Sequence, residues 1–129
     1  MKARKKVLIA DDDKTVHDLL NQVLRDDVFN IFHAYDGLET LEVTEEELPD
    51  LVVLDVMMPL IDGRDICRQL KRDPETEGIK VMMLSGRAEQ HDRILGLELG
   101  ADDYITKPAS VHYVARRIGR LLQDQGCPM

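Results

Sequence analysis

Six polar residues in this chain stand at or just after the ends of short apolar runs: Asp11, Asp12, Asp13, Asp55, Ser85 and Lys107. Residue types of this kind suit phosphoryl chemistry. A carboxylate can attack phosphorus and form an acyl phosphate when a metal ion and a cationic side chain neutralise the charge on the phosphoryl oxygens. The sequence therefore offers a nucleophile, metal ligands and a cation, provided that the fold brings them together.

Asp55 is the best candidate nucleophile in the sequence. It follows the unbroken apolar run at residues 51–54, which predicts a buried strand that would hold it rigidly. Lys107 can supply the cation and Ser85 a hydroxyl hydrogen bond. Alone, the lysine would be a solvated surface residue and the serine an ordinary turn residue, so their assignment depends on convergence with Asp55.

The aspartates also suggest a metal ion. Crowded carboxylates raise one another's pKa values and destabilise a fold, and a divalent cation relieves this repulsion. Ligands that are all oxygen suit Mg²⁺, for which Mn²⁺ could substitute, better than Zn²⁺. Four histidines are scattered along the chain and are interpreted as ordinary surface or helix residues: His17, His33, His91 and His112.

Apolar runs alternate with segments of helical period along the whole chain, a pattern typical of a parallel sheet built from βα units. Strands are predicted at residues 7–10, 28–34, 51–54, 80–84 and 104–106. Helices are predicted through residues 16–24, 38–43, 63–73, 94–100 and 111–122. Because ligands bind beyond the carboxyl ends of the strands in such sheets, the six polar residues are expected on one rim.

Composition excludes several classes of function. The chain has 129 residues and a formal net charge of −8, which opposes direct binding of nucleic acid. The apolar run at residues 7–10 is too short for export, and none spans a membrane. Cys67 and Cys127 form no disulfide framework, so we expect a cytoplasmic protein. One domain is expected over residues 1–129, with its core at about 5–122, a polar tail at 123–129 and no second domain.

Three segments carry a family resemblance. Residues 7–13 read VLIADDD, residues 51–59 read LVVLDVMMP with Asp62 and Gly63 following, and residues 100–108 read GADDYITKP. In this order and spacing they resemble the response regulator receiver domains of the CheY-like superfamily, over roughly residues 5–122. The resemblance implies a doubly wound, flavodoxin-like α/β fold whose five parallel strands have the order 2-1-3-4-5.

The resemblance also implies roles for individual residues. Asp55 would accept a phosphoryl group from the phosphohistidine of a histidine kinase or a histidine phosphotransfer protein. Asp11 and Asp12 would bind Mg²⁺, and Asp55 with the backbone carbonyl of Met57 would complete the protein ligands. Asp13 falls just outside the metal-binding pair. Lys107 and Ser85 would contact the phosphoryl group.

The same resemblance implies a switch. Ser85 would turn toward the phosphoryl group and Tyr104 would swing inward behind it, remodelling the surface of the fourth helix, fifth strand and fifth helix. This face would contact an output domain or target protein. The peptide between Lys107 and Pro108 is expected to be cis. The protein would not be an enzyme in the usual sense, because its chemistry is limited to phosphorylation and dephosphorylation of itself.

Two further expectations concern the lifetime of the acyl phosphate and the formation of a homodimer. Met57 and Arg87 stand where the family tunes hydrolysis of the acyl phosphate, and we expect slow loss because Met57 offers no side-chain hydrogen bond to orient water. Five charged residues on the expected output side could pair across a homodimer or remain solvated: Asp102, Asp103, Arg116, Arg117 and Arg120.

Two other classes of function are compatible with parts of this sequence. Residues 11–15 fit the DxDxT pattern of haloacid-dehalogenase-like phosphatases, in which Asp11 would be the nucleophile, and Ser85 and Lys107 follow in that family's order. Against this, no acidic pair follows Lys107, no cap segment is present, and Asp55 would have no role. A receiver-shaped adaptor that is never phosphorylated is the second alternative, but an adaptor has no physical need for crowded carboxylates.

Overall fold

Five parallel strands form the centre of the fold. The computed structural model describes residues 4–86, 94, 97–107 and 109–123. The strands are β1 (Lys5–Ala10), β2 (Phe29–Ala34), β3 (Leu51–Asp55), β4 (Lys80–Ser85) and β5 (Asp103–Thr106). They pair in the order β2-β1-β3-β4-β5, and every pair is parallel. The predicted doubly wound fold class is therefore confirmed.

Four helices are described: α1 (Lys14–Val23), α2 (Gly37–Glu47), α3 (Gly63–Arg72) and α4 (Val111–Gln123). The last of these corresponds to the fifth predicted helix. Residues 95 and 96 of the fourth predicted helix lie outside the described residues, and Ile94, Leu97 and Glu98 are helical. In the part of the chain that is described, none of the helices combines the length and the apolar character needed to cross a bilayer.

The sheet is covered on both faces, as expected for parallel strands. All five residues of β3 are buried. Alternate strand residues point to opposite faces, so Leu8, Val52 and Met83 share one core with Ile66 of α3, and Leu41 of α2 packs against it. The other core contains strand, α1 and α4 residues: Val7, Val53, Met82, Leu20, Val114 and Ile118. Helices α2 and α3 thus cover one face, and α1 and α4 the other.

Aspartates begin the first three helices at the same edge of the sheet. The Asp13 carboxylate accepts a hydrogen bond from the backbone N–H of Thr15 at 2.9 Å. Asp36 and Asp62 cap α2 and α3 in the same way. Such caps satisfy helix N–H groups that have no partner inside the helix, and each contributes about 1 kcal/mol. Asp13 therefore has a structural role as a helix cap.

Three of the five charged residues considered for a homodimer are paired within the chain. Arg117 Nη2 lies 2.7 Å from Asp103 Oδ2, which joins α4 to β5. Lys71 Nζ lies 2.9 Å from Asp102 Oδ2, and this carboxylate also accepts from Val81 N–H. The remaining two are exposed: Arg116 and Arg120. These internal ion pairs tie the β5 segment to both layers of helices.

Gly63 allows the start of α3 to approach the end of β3. Its N–H donates to the carbonyl of Val56 at 2.8 Å. A Cβ atom at this position would overlap the carbonyl oxygen of Asp55, which is backbone and cannot rotate away. The first turn of α3 is therefore in direct contact with the peptide of the candidate nucleophile, and only a hydrogen fits between them.

We expect Gly63→Ala to lower the free energy of unfolding by about 3 kcal/mol, because the added methyl overpacks against immobile backbone. Urea denaturation followed by circular dichroism measures this. Gly119→Ala in α4 is the matched control, since a Cβ there meets open space and alanine is favoured over glycine in a helix by about 1 kcal/mol. Equal stability of the two variants would contradict the close approach.

Candidate functional site

Three carboxylates meet at the carboxyl edge of the sheet. One oxygen each from Asp11, Asp12 and Asp55 lie within 4.8 Å of one another. Strands β1 and β3 are neighbours, and Ala10 is in register with Leu54, so the residues that follow them lie side by side. Asp11 and Asp55 are buried, whereas Asp12 is exposed. The three aspartates that the resemblance implied as metal ligands are thus brought together by strand pairing.

Lys107 joins this cluster from the end of β5. Its Nζ atom lies 2.8 Å from Asp11 Oδ2 and 3.7 Å from Asp55 Oδ2. Burial by itself lowers the pKa of the Lys107 ammonium, but the hydrogen bond to Asp11 and the charges of Asp11 and Asp55 outweigh burial, so the net pKa is raised. The lysine is therefore a permanent cation beside two carboxylates.

Asp55 is the carboxylate whose ionisation the site penalises. Burial and then the negative charge of Asp11 raise its pKa from 3.8 to about 6. The charge of Lys107 and a hydrogen bond from the Met57 N–H oppose this rise, and Asp12 adds to it. Asp55 is thus anionic at neutral pH while being more basic than an exposed aspartate, a combination that suits a nucleophile.

The donor set of the cluster fits a hard divalent cation. Its ligand atoms are carboxylate oxygens, and no histidine or cysteine belongs to it among the described residues. Oxygen ligands in small number are typical of Mg²⁺, which keeps several coordination positions for water and substrate oxygens. Burial, followed by the charge of Asp11, raises the pKa of Asp55, and a bound cation would relieve this penalty on the ionised carboxylate.

Ser85 lies on β4, the strand next to the nucleophile, and Tyr104 lies on β5, one strand further away. Ser85 ends β4, is fully buried, and its carbonyl accepts from Lys107 N–H at 2.6 Å. Asp55 is in register with Leu84, the residue before Ser85. Tyr104 in β5 is buried in the core that α2 and α3 cover. Arg87 and Pro108 lie outside the described residues, and with them the expected cis peptide.

Sequence reasoning missed His17. The sequence suggests an ordinary surface or helix residue, yet its side chain is 1% exposed and its Nε2 lies 2.7 Å from the carbonyl oxygen of Asp11. The signal was present: residues 17, 20 and 24 have helical spacing, and Leu20 and Leu24 are apolar, which places His17 on the buried face of α1.

Comparisons of sequence and of structure both match this chain to response regulators. A sequence model of the response regulator receiver domain matches residues 7–119. The chain is 42% identical over 119 residues to the alkaline phosphatase synthesis transcriptional regulatory protein PhoP of Bacillus subtilis (strain 168). This match covers 92% of the chain and 49% of that protein, so the chain spans about half the length of this relative.

Solved structures agree with the sequence matches. A putative response regulator from Chloroflexus aurantiacus J-10-fl superposes with a TM-score of 0.85 at 33% identity, covering 93% of this chain and 98% of that one. The BeF3-activated receiver domain of DrrB superposes with a TM-score of 0.85 at 30% identity, covering 94% and 99%. DrrB is described as an OmpR/PhoB homologue from Thermotoga maritima.

The raised pKa of Asp55 predicts a pH-dependent effect of Asp55→Asn on stability. The folded-state pKa is about 6 and the ordinary value is 3.8. The stability contributed by protonated Asp55 is therefore complete below the ordinary pKa and is lost as the pH rises through about 6. Without metal we expect Asp55→Asn to raise the free energy of unfolding by about 1–2 kcal/mol at about pH 8, allowing for partial solvent screening.

This gain should shrink progressively as the pH falls from about 6 to about 4. Urea denaturation in a metal chelator across this range measures it. Asp26→Asn, at an exposed position outside the site, is the matched control and should show no such trend. A constant difference between wild type and Asp55→Asn at all pH values would refute the electrostatic account.

Proposed function

Because the chain belongs to the response regulator receiver domain family, we propose that it is a phosphorylation-activated switch in which Asp55 is the phosphoacceptor. Receiver domains are the regulator component of two-component signalling systems. The donor would be the phosphohistidine of a histidine kinase or of a histidine phosphotransfer protein. One observation carries this proposal: the buried Asp55 carboxylate lies in a cluster with Asp11, Asp12 and the Lys107 ammonium.

The proposed reaction transfers one phosphoryl group. An oxygen of Asp55 forms a bond to phosphorus while the phosphorus–nitrogen bond of the donor breaks, and the released imidazole keeps the electron pair. The pKa of about 6 leaves Asp55 ionised at neutral pH. Lys107, 3.7 Å from Asp55 Oδ2, compensates part of the charge that the phosphoryl group brings.

Mg²⁺, with Mn²⁺ as a substitute, fits the same cluster. Asp11, Asp12 and Asp55 would hold the ion, together with the backbone carbonyl of Met57. A bound ion would supply charge compensation for the phosphoryl oxygens. Asp11 is in position for this role because Lys107 and the Asp13 N–H each hold one of its carboxylate oxygens.

The output would be a change at the face formed by the fourth predicted helix, β5 and α4, with Ser85 and Tyr104 as switch residues. Both side chains are buried, Ser85 on β4 beside β3 and Tyr104 on β5 beyond it. Their burial supports this role, because added charge at Asp55 can act on packed residues that have two arrangements. An output domain or target protein, or a second copy of the chain, would bind there.

We expect the protein to act in the cytoplasm and not to contact nucleic acid through this acidic domain.

No specific observation favours the two alternatives. A haloacid-dehalogenase-like phosphatase would need Asp11 as nucleophile, but Asp11 is 2% exposed and both its carboxylate oxygens accept hydrogen bonds. An adaptor that is never phosphorylated leaves the raised pKa of Asp55 without a purpose. One experiment distinguishes the phosphatase and the adaptor from the phosphorylation-activated switch.

Incubation with acetyl phosphate and Mg²⁺ should add the mass of one phosphoryl group to the intact protein, and a metal chelator should prevent this. Asp55→Asn should abolish the gain because it removes the nucleophile. Lys107→Met should slow phosphorylation about 100-fold by removing the fixed cation. Asp26→Asn is the control for folding and handling and should react normally.

Two outcomes of this mass measurement would overturn the proposal. No phosphoryl gain in the wild type, from acetyl phosphate or from a phosphohistidine donor, would support the adaptor. Turnover of a phosphomonoester that survives Asp55→Asn and is lost in Asp11→Asn would support the phosphatase.

The position of Met57 predicts an effect on the half-life of the phosphorylated protein. Its side chain is 59% exposed, and its backbone N–H contacts Asp55. A glutamine there could orient an attacking water, so we expect Met57→Gln to shorten the half-life of the phosphorylated protein about ten-fold. Met57→Leu keeps an apolar side chain and should leave the half-life unchanged. Intact mass after removal of the phosphodonor follows the decay; equal half-lives in both variants would contradict this role.

A further inference from the structure

A chain of polar side chains runs from the surface to the backbone of the acidic cluster. His17 Nε2 lies 2.7 Å from the carbonyl oxygen of Asp11, and His17 Nδ1 lies 2.7 Å from His33 Nδ1. Asn21 Nδ2 lies 3.4 Å from His33 Nε2. Tyr35 stacks on the His17 ring at a centroid distance of 4.2 Å. Three elements, α1, β2 and the end of β1, are linked by these contacts.

The hydrogen-bond partners determine where the protons lie. A carbonyl oxygen can only accept, so Nε2 of His17 carries a proton. Burial, followed by the neighbouring His17, lowers the pKa of His33, with Asp18 opposing. In the neutral pair, Nδ1 of His17 accepts from Nδ1–H of His33, and Nε2 of His33 accepts from the Asn21 amide. Every member then has a directed partner, ending at the Asp11 carbonyl.

Asp11 is held at each of its polar atoms. Its N–H donates to Ala34 at 3.1 Å, its Oδ1 accepts from Asp13 N–H at 2.9 Å, and its Oδ2 accepts from Lys107 at 2.8 Å. The fourth polar atom, the carbonyl oxygen of Asp11, is held by His17 Nε2. This carbonyl belongs to the peptide that joins Asp11 to Asp12, so its orientation sets the direction in which the exposed Asp12 side chain leaves the backbone.

We propose that His17 is a positioning residue for the divalent-cation site: by donating from Nε2 to the Asp11 carbonyl, it orients the Asp11–Asp12 peptide so that both carboxylates face one ion. The inference rests on the proposed function, since it concerns the ligands of that site. It assigns His17 no contact with the ion. His33 holds the His17 ring in the tautomer that presents the Nε2 proton.

Two substitutions separate this role from packing. In His17→Gln the amide Nε2 can reach the place of the imidazole Nε2 and donate to Asp11, whereas in His17→Asn the shorter amide reaches only the place of Nδ1, next to His33. Both variants are neutral and polar, and both lose the stacking on Tyr35. His112→Asn, at an exposed position in α4, is the control for exchanging histidine for asparagine.

Isothermal titration with Mg²⁺ is the test, and urea denaturation in a chelator reports stability separately. We expect the dissociation constant to rise about ten-fold in His17→Asn, the size typical for loss of a residue that orients a metal ligand, and to stay within about three-fold of wild type in His17→Gln. His112→Asn should bind like wild type. Equal losses in the two His17 variants, or a loss of stability with unchanged Mg²⁺ affinity, would overturn the inference.

If His17→Asn does not fold, two further measurements test the positioning role of His17. His33→Leu, at a half-buried position, removes the proton donated to His17 Nδ1 and should weaken Mg²⁺ binding about three-fold. Nitrogen NMR of the wild-type imidazoles should show His17 protonated at Nε2 and His33 at Nδ1; a bare Nε2 in His17 would overturn the inference. Wild-type protein that binds no Mg²⁺ would instead defeat the proposed function.

Discussion

The repulsion between two carboxylates at one edge of a parallel sheet is the constraint on which the rest of this structure depends. Asp11 directly follows β1, Asp55 ends the neighbouring strand β3, and both are buried, so neither can be solvated as an exposed aspartate would be. Lys107 compensates part of their charge, but the pKa of Asp55 is still raised to about 6. The fold therefore carries an electrostatic cost at the position where a receiver domain would carry out its chemistry.

The surrounding fold is built so that this cost does not distort the site. All five residues of β3 are buried, and α3 begins so close to Asp55 that only a glycine fits at position 63. Aspartate caps start α1, α2 and α3 at the same edge. Because packed interiors cannot deform gradually, carboxylates held in this way stay close together although they repel one another. Rigid placement of groups that repel one another also favours a bound cation as the means of relief.

The same principle extends to the helix that follows β1. A buried histidine costs stability unless both ring nitrogens are hydrogen-bonded, and His17 meets this condition through Asp11 and His33. An apolar residue would fill the same space without needing hydrogen-bond partners. The retained polar chain links α1 and β2 to the peptide between the first two candidate metal ligands. On the opposite side of the site, the ion pair of Asp103 with Arg117 joins β5 to α4, so these two elements are also held together by charges within the chain.

The sequence by itself determined the alternation of strands and helices, their order, and the set of acidic and basic residues at the strand ends, because hydrophobic periodicity and turn residues are local signals. The strand order 2-1-3-4-5 came from the resemblance of three segments to receiver domains. Only the tertiary structure decided that Lys107 lies closer to Asp11 than to Asp55, that Asp103 and Arg117 pair internally, and that His17 meets His33. These contacts join residues distant in sequence, and their distances depend on how strands and helices pack in three dimensions, which local periodicity does not encode. The pKa of Asp55 follows from the same packing, because burial and neighbouring charges set it.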